Sequence, residues 1–292
     1  MAIVRDLYRK VFHGLPRRTP PVAAVLTAEQ RASWERDGFL VLPGIMSPEE
    51  VATVKRVVDE EWKNRAGNDH EVDMLTGPYA GRAYKMEQIP EDARRDAYKL
   101  NNLFARRAEI RRVALSPRLR PVVAELLGGA PLICNSLNFE RGSQQEFHID
   151  TWYMPPPVDN RMVAGWFALD DVDATNGPLV YYRGSHLIPA HRFSDGRLNE
   201  IREERKECDA YLQREIAARG LEQVEFHGKA GDVFIWHAQL LHAGRPIRDM
   251  TRTRSSLVVH YWRECDIPQG QVRVDPAAGS YLGHTLRGEI QY

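Results

Sequence analysis

The chain has 292 residues, 43% of them apolar, and its 40 Lys and Arg residues balance 40 Asp and Glu residues. Zero net charge argues against a dedicated nucleic-acid or membrane-surface protein, because both need a basic excess to contact phosphate. The three cysteines have no CxxC spacing, so they predict neither a disulfide framework nor a thiolate metal site. No apolar run is as long as a membrane span, and we therefore expect one globular domain in the cytoplasm.

The N-terminal part of the chain is predicted to be an arm followed by a mainly helical cover. Residues 1–25 are basic and proline-rich, which is typical of an extended arm. A capping-box spacing from Thr27 begins a helix that ends before the apolar strand 39–42. Ser47, followed by a proline and two glutamates, begins a second helix. The rest of the cover, up to residue 129, has helical patterns over 101–114 and 117–127 and an irregular polar stretch over 63–98.

From Leu132 onward, short runs rich in Val, Ile, Phe, Trp and Tyr alternate with turn residues, which predicts a series of strands. A charged, periodic stretch over 198–219 is a helical insertion between them. Helices followed by many short strands indicate an α+β protein with an antiparallel barrel core over 130–264, helices on one face, and a C-terminal extension over 265–292. The predicted strands cover residues 132–139, 145–150, 162–169, 179–183, 223–227, 232–237 and 255–262.

The most informative segment contains His148 and Asp150, separated by one residue. Side chains two apart on a strand point to the same face, so this imidazole and this carboxylate can aim at one point. They form two-thirds of a 2-His-1-carboxylate triad, which leaves positions on iron(II) open. Taken alone the pattern is weak, since a histidine bonded to a nearby carboxylate also explains it.

A third ligand must come from the downstream cluster that contains His237 and His242. Their spacing prevents both from reaching one metal from the same strand face. A strand over 232–236, a turn and a loop would return His242 to the barrel mouth, and we favour His242 for that reason. The alternative role of His237 is that of a barrel-wall histidine bonded to the backbone.

Two arginines, Arg252 and Arg254, precede the apolar strand near residue 255. A dicarboxylate that chelates iron at one end needs a fixed cation for its far carboxylate, and a planar guanidinium suits that task. Both arginines have the same strand parity, so alternation leaves the choice between them open.

Several motifs follow one another in a fixed order along the chain. They are Asp37-Gly-Phe-Leu-Val-Leu-Pro-Gly44 with Ser47-Pro-Glu-Glu, His148-Ile-Asp150, Trp166-Phe-Ala-Leu-Asp-Asp171, Asn176-Gly-Pro-Leu179, Gly184-Ser-His186, Gly231-Asp232 with His242, and Arg254 leading into Val-Val-His260-Tyr. In this order they resemble the phytanoyl-CoA dioxygenase family, over roughly residues 26–264. The resemblance implies a double-stranded β-helix of the jelly-roll type, with iron(II) as the metal and 2-oxoglutarate and O2 as cosubstrates.

The same resemblance implies the roles of the candidate ligands. His148, Asp150 and His242 fall on the iron triad of the family. Retention of Asp150 favours hydroxylation over halogenation, because related halogenases replace the carboxylate so that chloride can bind the metal. Hydroxylation of an unactivated carbon is therefore the expected reaction, with desaturation or ring formation as further possibilities.

The resemblance also implies how 2-oxoglutarate binds. Arg254 falls on the arginine that binds the distal carboxylate, and Trp166 falls on an inward aromatic near the cosubstrate. The family often has a serine at the position of Gly244, where this chain has no hydroxyl. Thr253, Ser255 or a water is expected to replace that contact.

The substrate is expected to be a small polar or natural-product-like molecule, because the candidate pocket residues are polar and aromatic. Asn135 and Asn138 have opposite parity, so at most one of them, assigned here as Asn138, faces the interior. Two other functions stay open, a non-catalytic sensor barrel that binds a metal or ligand, and a barrel with no metal. The candidate substrate residues are Asn138, Trp152, Tyr153, Lys99 and Asn101.

Overall fold

The computed structural model describes residues 22–284. The predicted arm over 1–25 lies almost entirely outside this range. Within it, no helix has both the length and the apolar character needed to cross a bilayer.

The first two helices begin as the sequence predicts. A reciprocal capping box joins Thr27 and Gln30, and another joins Ser47 and Glu50. Gly38 ends the first helix in the left-handed region, with φ at 81°. In chain order the helices are α1 (Ala28–Asp37), α2 (Pro48–Lys63), α3 (Leu103–Arg106), α4 (Ala108–Ala114), α5 (Arg120–Leu127) and α6 (Arg205–Arg219).

The strands form two sheets that face each other. The strands are β1 (Phe39–Leu42), β2 (Glu71–Met74), β3 (Arg82–Lys85), β4 (Tyr98–Asn101), β5 (Pro131–Phe139), β6 (Met162–Ala168), β7 (Leu179–Tyr182), β8 (Gln223–Phe226), β9 (Val233–His237), β10 (His242–Gly244), β11 (Ser256–Arg263), β12 (Val272–Asp275) and β13 (Gly279–Leu282). The large sheet has the order β1-β9-β6-β11-β5-β4-β2-β3, and the small sheet has the order β10-β7-β8. The β12–β13 hairpin joins the large sheet through a parallel pairing of β13 with β5.

Each face of the large sheet has its own apolar cluster. On β11, Leu257 and Val259 belong to the cluster that includes Val54 and Trp62 of α2, whereas Val258 belongs to the cluster between the sheets. This alternation follows from the two-residue period of a strand. The helices therefore cover the outer face, and the inner face is left for the small sheet and the candidate site.

One predicted strand, over 145–150, is wrong. His148 makes only an isolated antiparallel bridge with His242, and Asp150 begins a short 3-10 helix. The backbone N–H of Met154 donates to the carbonyl of Asp150, which curls the chain out of an extended conformation. The two residues therefore converge through a bridge and a turn and not through strand alternation.

The cover also differs from its prediction. The stretch 63–98, expected to be irregular, contains β2 and β3 and the first residue of β4, which extend the large sheet. The helix expected over 101–114 is divided into α3 and α4. Asn102, with φ at 56°, separates β4 from α3, so strand and helix meet within the predicted helix.

Candidate metal centre

The structure brings three buried side chains together, those of His148, Asp150 and His242. One ligating atom from each lies within 4.8 Å of the other two. The Oδ1 atom of Asp150 is 3.7 Å from Nε2 of His148 and 3.6 Å from Nε2 of His242. Two imidazoles and one carboxylate around a common point can hold a transition metal and leave further coordination positions open.

Backbone hydrogen bonds orient both imidazoles. The N–H of His148 donates to the carbonyl of His242 at 2.9 Å, and the reverse bond is 3.1 Å. Nδ1 of His148 is 2.8 Å from the carbonyl oxygen of Glu146, and Nδ1 of His242 is 2.9 Å from that of Leu240. Because a carbonyl only accepts, each Nδ1 carries the hydrogen and the Nε2 lone pairs face the common point.

The protonation states at the centre suit a metal. Burial, followed by the proximity of His242, lowers the pKa of His148 to about 3. Burial alone would raise the pKa of Asp150, but the imidazoles of His242 and His260 outweigh it and hold this pKa below its ordinary value. At neutral pH His148 is neutral and Asp150 is anionic, which are the states that ligate metals.

The second oxygen of Asp150 faces the large sheet. The indole Nε1 of Trp236, on β9, donates to Oδ2 at 2.8 Å. Nε2 of His260, on β11, lies 3.4 Å from the same oxygen. The two oxygens of this carboxylate therefore have different surroundings, with Oδ1 toward His148 and His242 and Oδ2 toward the wall of the barrel.

A cavity of about 440 Å³, its open mouth included, is lined by the three candidate ligands and by Arg254. Arg254 is 2% exposed, and its Nε has no hydrogen-bond partner among the described residues. Burial lowers its pKa to about 10, so the guanidinium is still cationic at neutral pH. The guanidinium carbon lies 5.5 Å from the ring centre of Trp166. A buried cation at the wall of a cavity is suited to bind an anion.

Two glycines allow close packing of residues that line the cavity. A Cβ on Gly142, whose φ is 70°, would lie 2.4 Å from Nη2 of Arg254. A Cβ on Gly244 would lie 2.5 Å from Oγ of Ser143. The hydroxyl of Ser143 therefore occupies the space that a side chain at Gly244 would need, and both residues line the cavity.

The two alternative candidates, His237 for the metal and Arg252 for the cosubstrate, have other partners. Nδ1 of His237 accepts the backbone N–H of Gln239 at 3.1 Å, and its ring packs against His186. Arg252 is half-buried and pairs with Asp173 at 2.5 Å. His242 and Arg254 therefore line the cavity, whereas His237 and Arg252 do not.

Thr253 and Ser255, expected near the cosubstrate, both contact Asp170 instead. The hydroxyl of Thr253 and the backbone N–H of Ser255 each donate to Oδ2 of Asp170 at 2.7 Å. Among the described residues that line the cavity, Ser143 is the one with a hydroxyl group.

Two of the candidate substrate residues lie on opposite faces of the large sheet. Asn138 is the register partner of Leu257, so it points into the apolar cluster under the helices. Asn101 is the register partner of Leu137, which lines the cavity. Lys99 has the same strand parity as Asn101, is 8% exposed, and forms an ion pair with an aspartate on β2.

The other two candidates follow Asp150 in the chain. Trp152 is buried, and the guanidinium of Arg205 lies 4.1 Å from its ring centre. The ring of Tyr153 is 5.7 Å from the ring of His148, between centres. Tyr153 therefore packs against one of the candidate ligands.

Sequence reasoning gave no role to Trp236, His260, Ser143 or Gly142. Strand parity could have found His260, because it lies six residues after Arg254 and so faces the same side of β11. No comparable signal marks Ser143, which lies in a loop and reaches the cavity through tertiary contacts.

Comparisons with known sequences agree with this geometry. The profile of the phytanoyl-CoA dioxygenase (PhyH) family matches residues 34–253. Peroxisomal phytanoyl-CoA dioxygenase of Mus musculus is 24% identical over 229 residues, which are 75% of this chain and 63% of that protein. Ectoine dioxygenase of Stutzerimonas stutzeri (strain A1501) is 29% identical over 173 residues, 56% of this chain and 51% of that protein. The chain thus spans about half to two-thirds of these curated relatives.

Solved structures share the fold. SnoK, a non-heme alpha ketoglutarate dependent carbocyclase from nogalamycin biosynthesis, superposes with a TM-score of 0.62 at 19% identity, over 84% of this chain and 87% of its own. EctD from S. alaskensis, solved with 2-oxoglutarate and 5-hydroxyectoine, gives a TM-score of 0.58 at 22% identity, over 87% of this chain and 80% of its own. The predicted α+β double-stranded β-helix with a helical cover is confirmed.

Proposed function

Because the chain belongs to the phytanoyl-CoA dioxygenase family, we propose that it is a non-haem iron(II)- and 2-oxoglutarate-dependent dioxygenase. The observation that carries the proposal is the convergence of His148, Asp150 and His242 in a cavity that also contains a buried guanidinium. When bound, iron(II) would supply the activation of O2 that side chains cannot provide. Succinate and CO2 would be the products formed from 2-oxoglutarate. The three residues fit this metal, since two neutral imidazoles and one carboxylate are its usual protein donors.

The 2-oxoglutarate site is assigned to the part of the cavity next to Arg254. A dicarboxylate needs a fixed cation for the carboxylate that does not chelate the metal, and the guanidinium can offer it two parallel N–H groups. The unpartnered Nε of Arg254 supports this assignment, because a buried donor without an acceptor is costly unless a ligand satisfies it. Trp166 flanks the guanidinium and restricts its orientation.

Ser143 is proposed as the hydroxyl donor to the same carboxylate. Its Oγ fills the space beside Gly244, in the wall that also contains Arg254. Thr253 and Ser255 are less suited because Asp170 already accepts from them. In this proposal the hydroxyl comes from the loop after β5, whereas a serine at position 244 would have supplied it from β10.

Hydroxylation of a small polar or natural-product-like substrate is the proposed outcome. Named relatives act on small molecules, and the retained Asp150 occupies the position that a halide would need. Asn101 and Tyr153 are the candidate contacts for this substrate, since one lies on the inner face beside Leu137 and the other packs against His148.

We also propose that the chain acts as one domain in the cytoplasm. Helical cover and large sheet share a continuous apolar cluster, which supports a single folding unit. The three cysteines are free thiols, and a reducing compartment preserves both free thiols and ferrous iron.

Anaerobic addition of Fe(II) and 2-oxoglutarate tests the proposal. A visible charge-transfer band should appear with the wild-type protein and be absent with Asp150→Ala. Succinate formation with a panel of small substrates should follow once O2 is admitted. A band without turnover across the panel would favour a ligand sensor, and a folded wild-type protein that gives no band would refute the proposed function.

A further inference from the structure

We propose that Trp236 is a positioning residue that makes Asp150 a one-oxygen metal ligand. The inference rests on the proposed function, because it concerns how the chain presents its carboxylate to the metal. It assigns to Trp236 and to its neighbour His260 a role that neither the triad nor the 2-oxoglutarate site requires.

The two oxygens of Asp150 have different surroundings. Oδ1 lies 3.7 and 3.6 Å from the Nε2 atoms of His148 and His242. Oδ2 accepts the indole N–H of Trp236 at 2.8 Å. Asp150 is only 3% exposed, and a buried hydrogen bond of this length opposes rotation of its carboxylate. Oδ1 is thereby left as the oxygen that faces the metal position.

The indole donor itself is rigidly placed. Trp236 is 2% exposed and lies on β9, which pairs with β1 on one side and β6 on the other. Its ring also contacts that of His242, with 5.0 Å between the centres. Any shift of Trp236 would therefore disturb two of the three candidate ligands together.

His260 lies beside Oδ2 of Asp150, and a chain of hydrogen bonds fixes its ring. The N–H of Ser136 donates to Oδ1 of Asn102, so this atom is an acceptor, and the amide N–H of Asn135 donates to it as well. Oδ1 of Asn135 then faces Nδ1 of His260 at 3.1 Å, which makes that nitrogen a donor. The relay holds Nε2 of the ring 3.4 Å from Oδ2 of Asp150, and because the hydrogen is on Nδ1, the indole of Trp236 and not this imidazole is the donor to that oxygen.

A one-oxygen carboxylate has a functional consequence. If both oxygens of Asp150 bound the metal, they would occupy one coordination position more than a single oxygen does. Holding Oδ2 on the indole keeps that position available for the cosubstrates. Trp236 would thus affect both the affinity for the metal and the number of coordination positions left open on it.

The test is a titration of the metal-free full chain with Co(II), whose visible d–d bands report coordination number. For Trp236→Phe we expect the Co(II) affinity to fall by about 10- to 100-fold, the usual effect of losing a hydrogen bond to a metal ligand. Its d–d bands should also change in intensity, which a purely structural role would not cause. Trp262→Phe is the matched control, since this buried indole lies on β11 and its Nε1 has no partner among the described residues. It should bind Co(II) within about twofold of the wild type, because no hydrogen bond to a metal ligand is lost.

Different results identify different failures. If the wild type binds no Co(II), both the proposed function and this inference are overturned. If the wild type binds and Trp236→Phe matches it in affinity and spectrum, the inference alone is wrong. Should Trp236→Phe fail to fold, indole N–H signals of the ¹⁵N-labelled wild type decide the matter. One of them should lie downfield and move in Asp150→Ala, and an unchanged set of signals would contradict the hydrogen bond.

Discussion

The two sheets contribute to the candidate site in different ways. The large sheet supplies Trp166, Trp236 and His260 from strands of seven, five and eight residues, each paired on both sides. The small sheet supplies His242 from a strand of only three residues. His148 and Asp150 lie outside the named strands, and a single bridge to His242 connects them to the small sheet.

This difference separates fixed surfaces from adaptable ones. Long strands with buried side chains define where the indoles of Trp166 and Trp236 and the wall of the cavity lie. The candidate ligands are placed by short-range backbone bonds, including the paired N–H and carbonyl groups of His148 and His242. Loss of a ligand on the small-sheet side should therefore abolish metal binding, whereas changes on the large sheet should weaken metal binding only indirectly, as at Trp236, or alter stability.

The sharpest test of this division compares two histidines from the same segment, His242 of the small sheet and His237 of the large one. His242→Ala should weaken Co(II) binding by at least about 100-fold, since it removes a ligand and not only an outer partner. His237→Ala should change Co(II) affinity by less than about threefold, because its ring packs on His186 away from the centre. Isothermal titration measures both, and a large loss in His237→Ala would mean that the triad is misassigned.

A second test uses the two arginines before β11. Arg254→Gln should weaken 2-oxoglutarate binding by at least about 30-fold, which corresponds to about 2 kcal/mol for losing the charged partner of a buried carboxylate. Arg252→Gln should stay within about twofold, because Arg252 pairs with Asp173 and does not line the cavity. The charge-transfer band recorded against 2-oxoglutarate concentration gives both constants. Equal effects of the two substitutions would contradict a cosubstrate site at Arg254.

The sequence predicted what depends on local patterns. Capping residues such as Ser47 located helix starts, and the apolar run after Ser255 located β11. Ordered motifs pointed to the family and to the candidate ligands. His148 and Asp150 converge as expected, yet through a bridge and a 3-10 turn that no alternation rule describes.

What the sequence did not reveal depends on contacts between distant segments. Asn138 was placed in the pocket, but its strand parity directs it under the helices beside Leu257. Ser143 has no distinguishing local pattern, and it reaches the cavity only because the loop after β5 packs on Gly244. The strands β2 and β3 escaped detection because their residues are largely polar and short runs carry little periodic signal.

A smaller effect is expected where the two sheets meet at Ser143 and Gly244. Ser143→Ala should weaken 2-oxoglutarate binding by about fivefold, the value of one hydrogen bond of about 1 kcal/mol. Gly244→Ser alone should weaken it further, because its Cβ would lie 2.5 Å from Oγ of Ser143. The double variant Ser143→Ala with Gly244→Ser should recover affinity, since the space is vacated and the hydroxyl returns from β10. If the double variant binds 2-oxoglutarate no more tightly than Gly244→Ser alone, Ser143 is excluded as the hydroxyl donor.

The smallest expected effect concerns acid stability, and it separates the large-sheet histidine from the ligands. Burial, followed by the proximity of His186, lowers the pKa of His237 to about 4 from the ordinary 6.5. Burial also lowers the pKa of His186. As the pH falls through this window, the unfolded chain takes up protons that the folded chain refuses, so the free energy of unfolding decreases.

Urea unfolding of the metal-free protein at pH 7 and pH 4.5 should therefore show a drop that His237→Gln makes smaller. Titration of His148 contributes equally to the wild type and to this variant, so the difference between them isolates His237. Trp34→Phe is the control, because Trp34 packs edge-on against His237 and does not titrate. It should lower stability at both pH values and leave the size of the drop unchanged. An identical drop in His237→Gln would mean that this ring is solvated in the folded state, and that the acid sensitivity resides on the ligand side of the barrel.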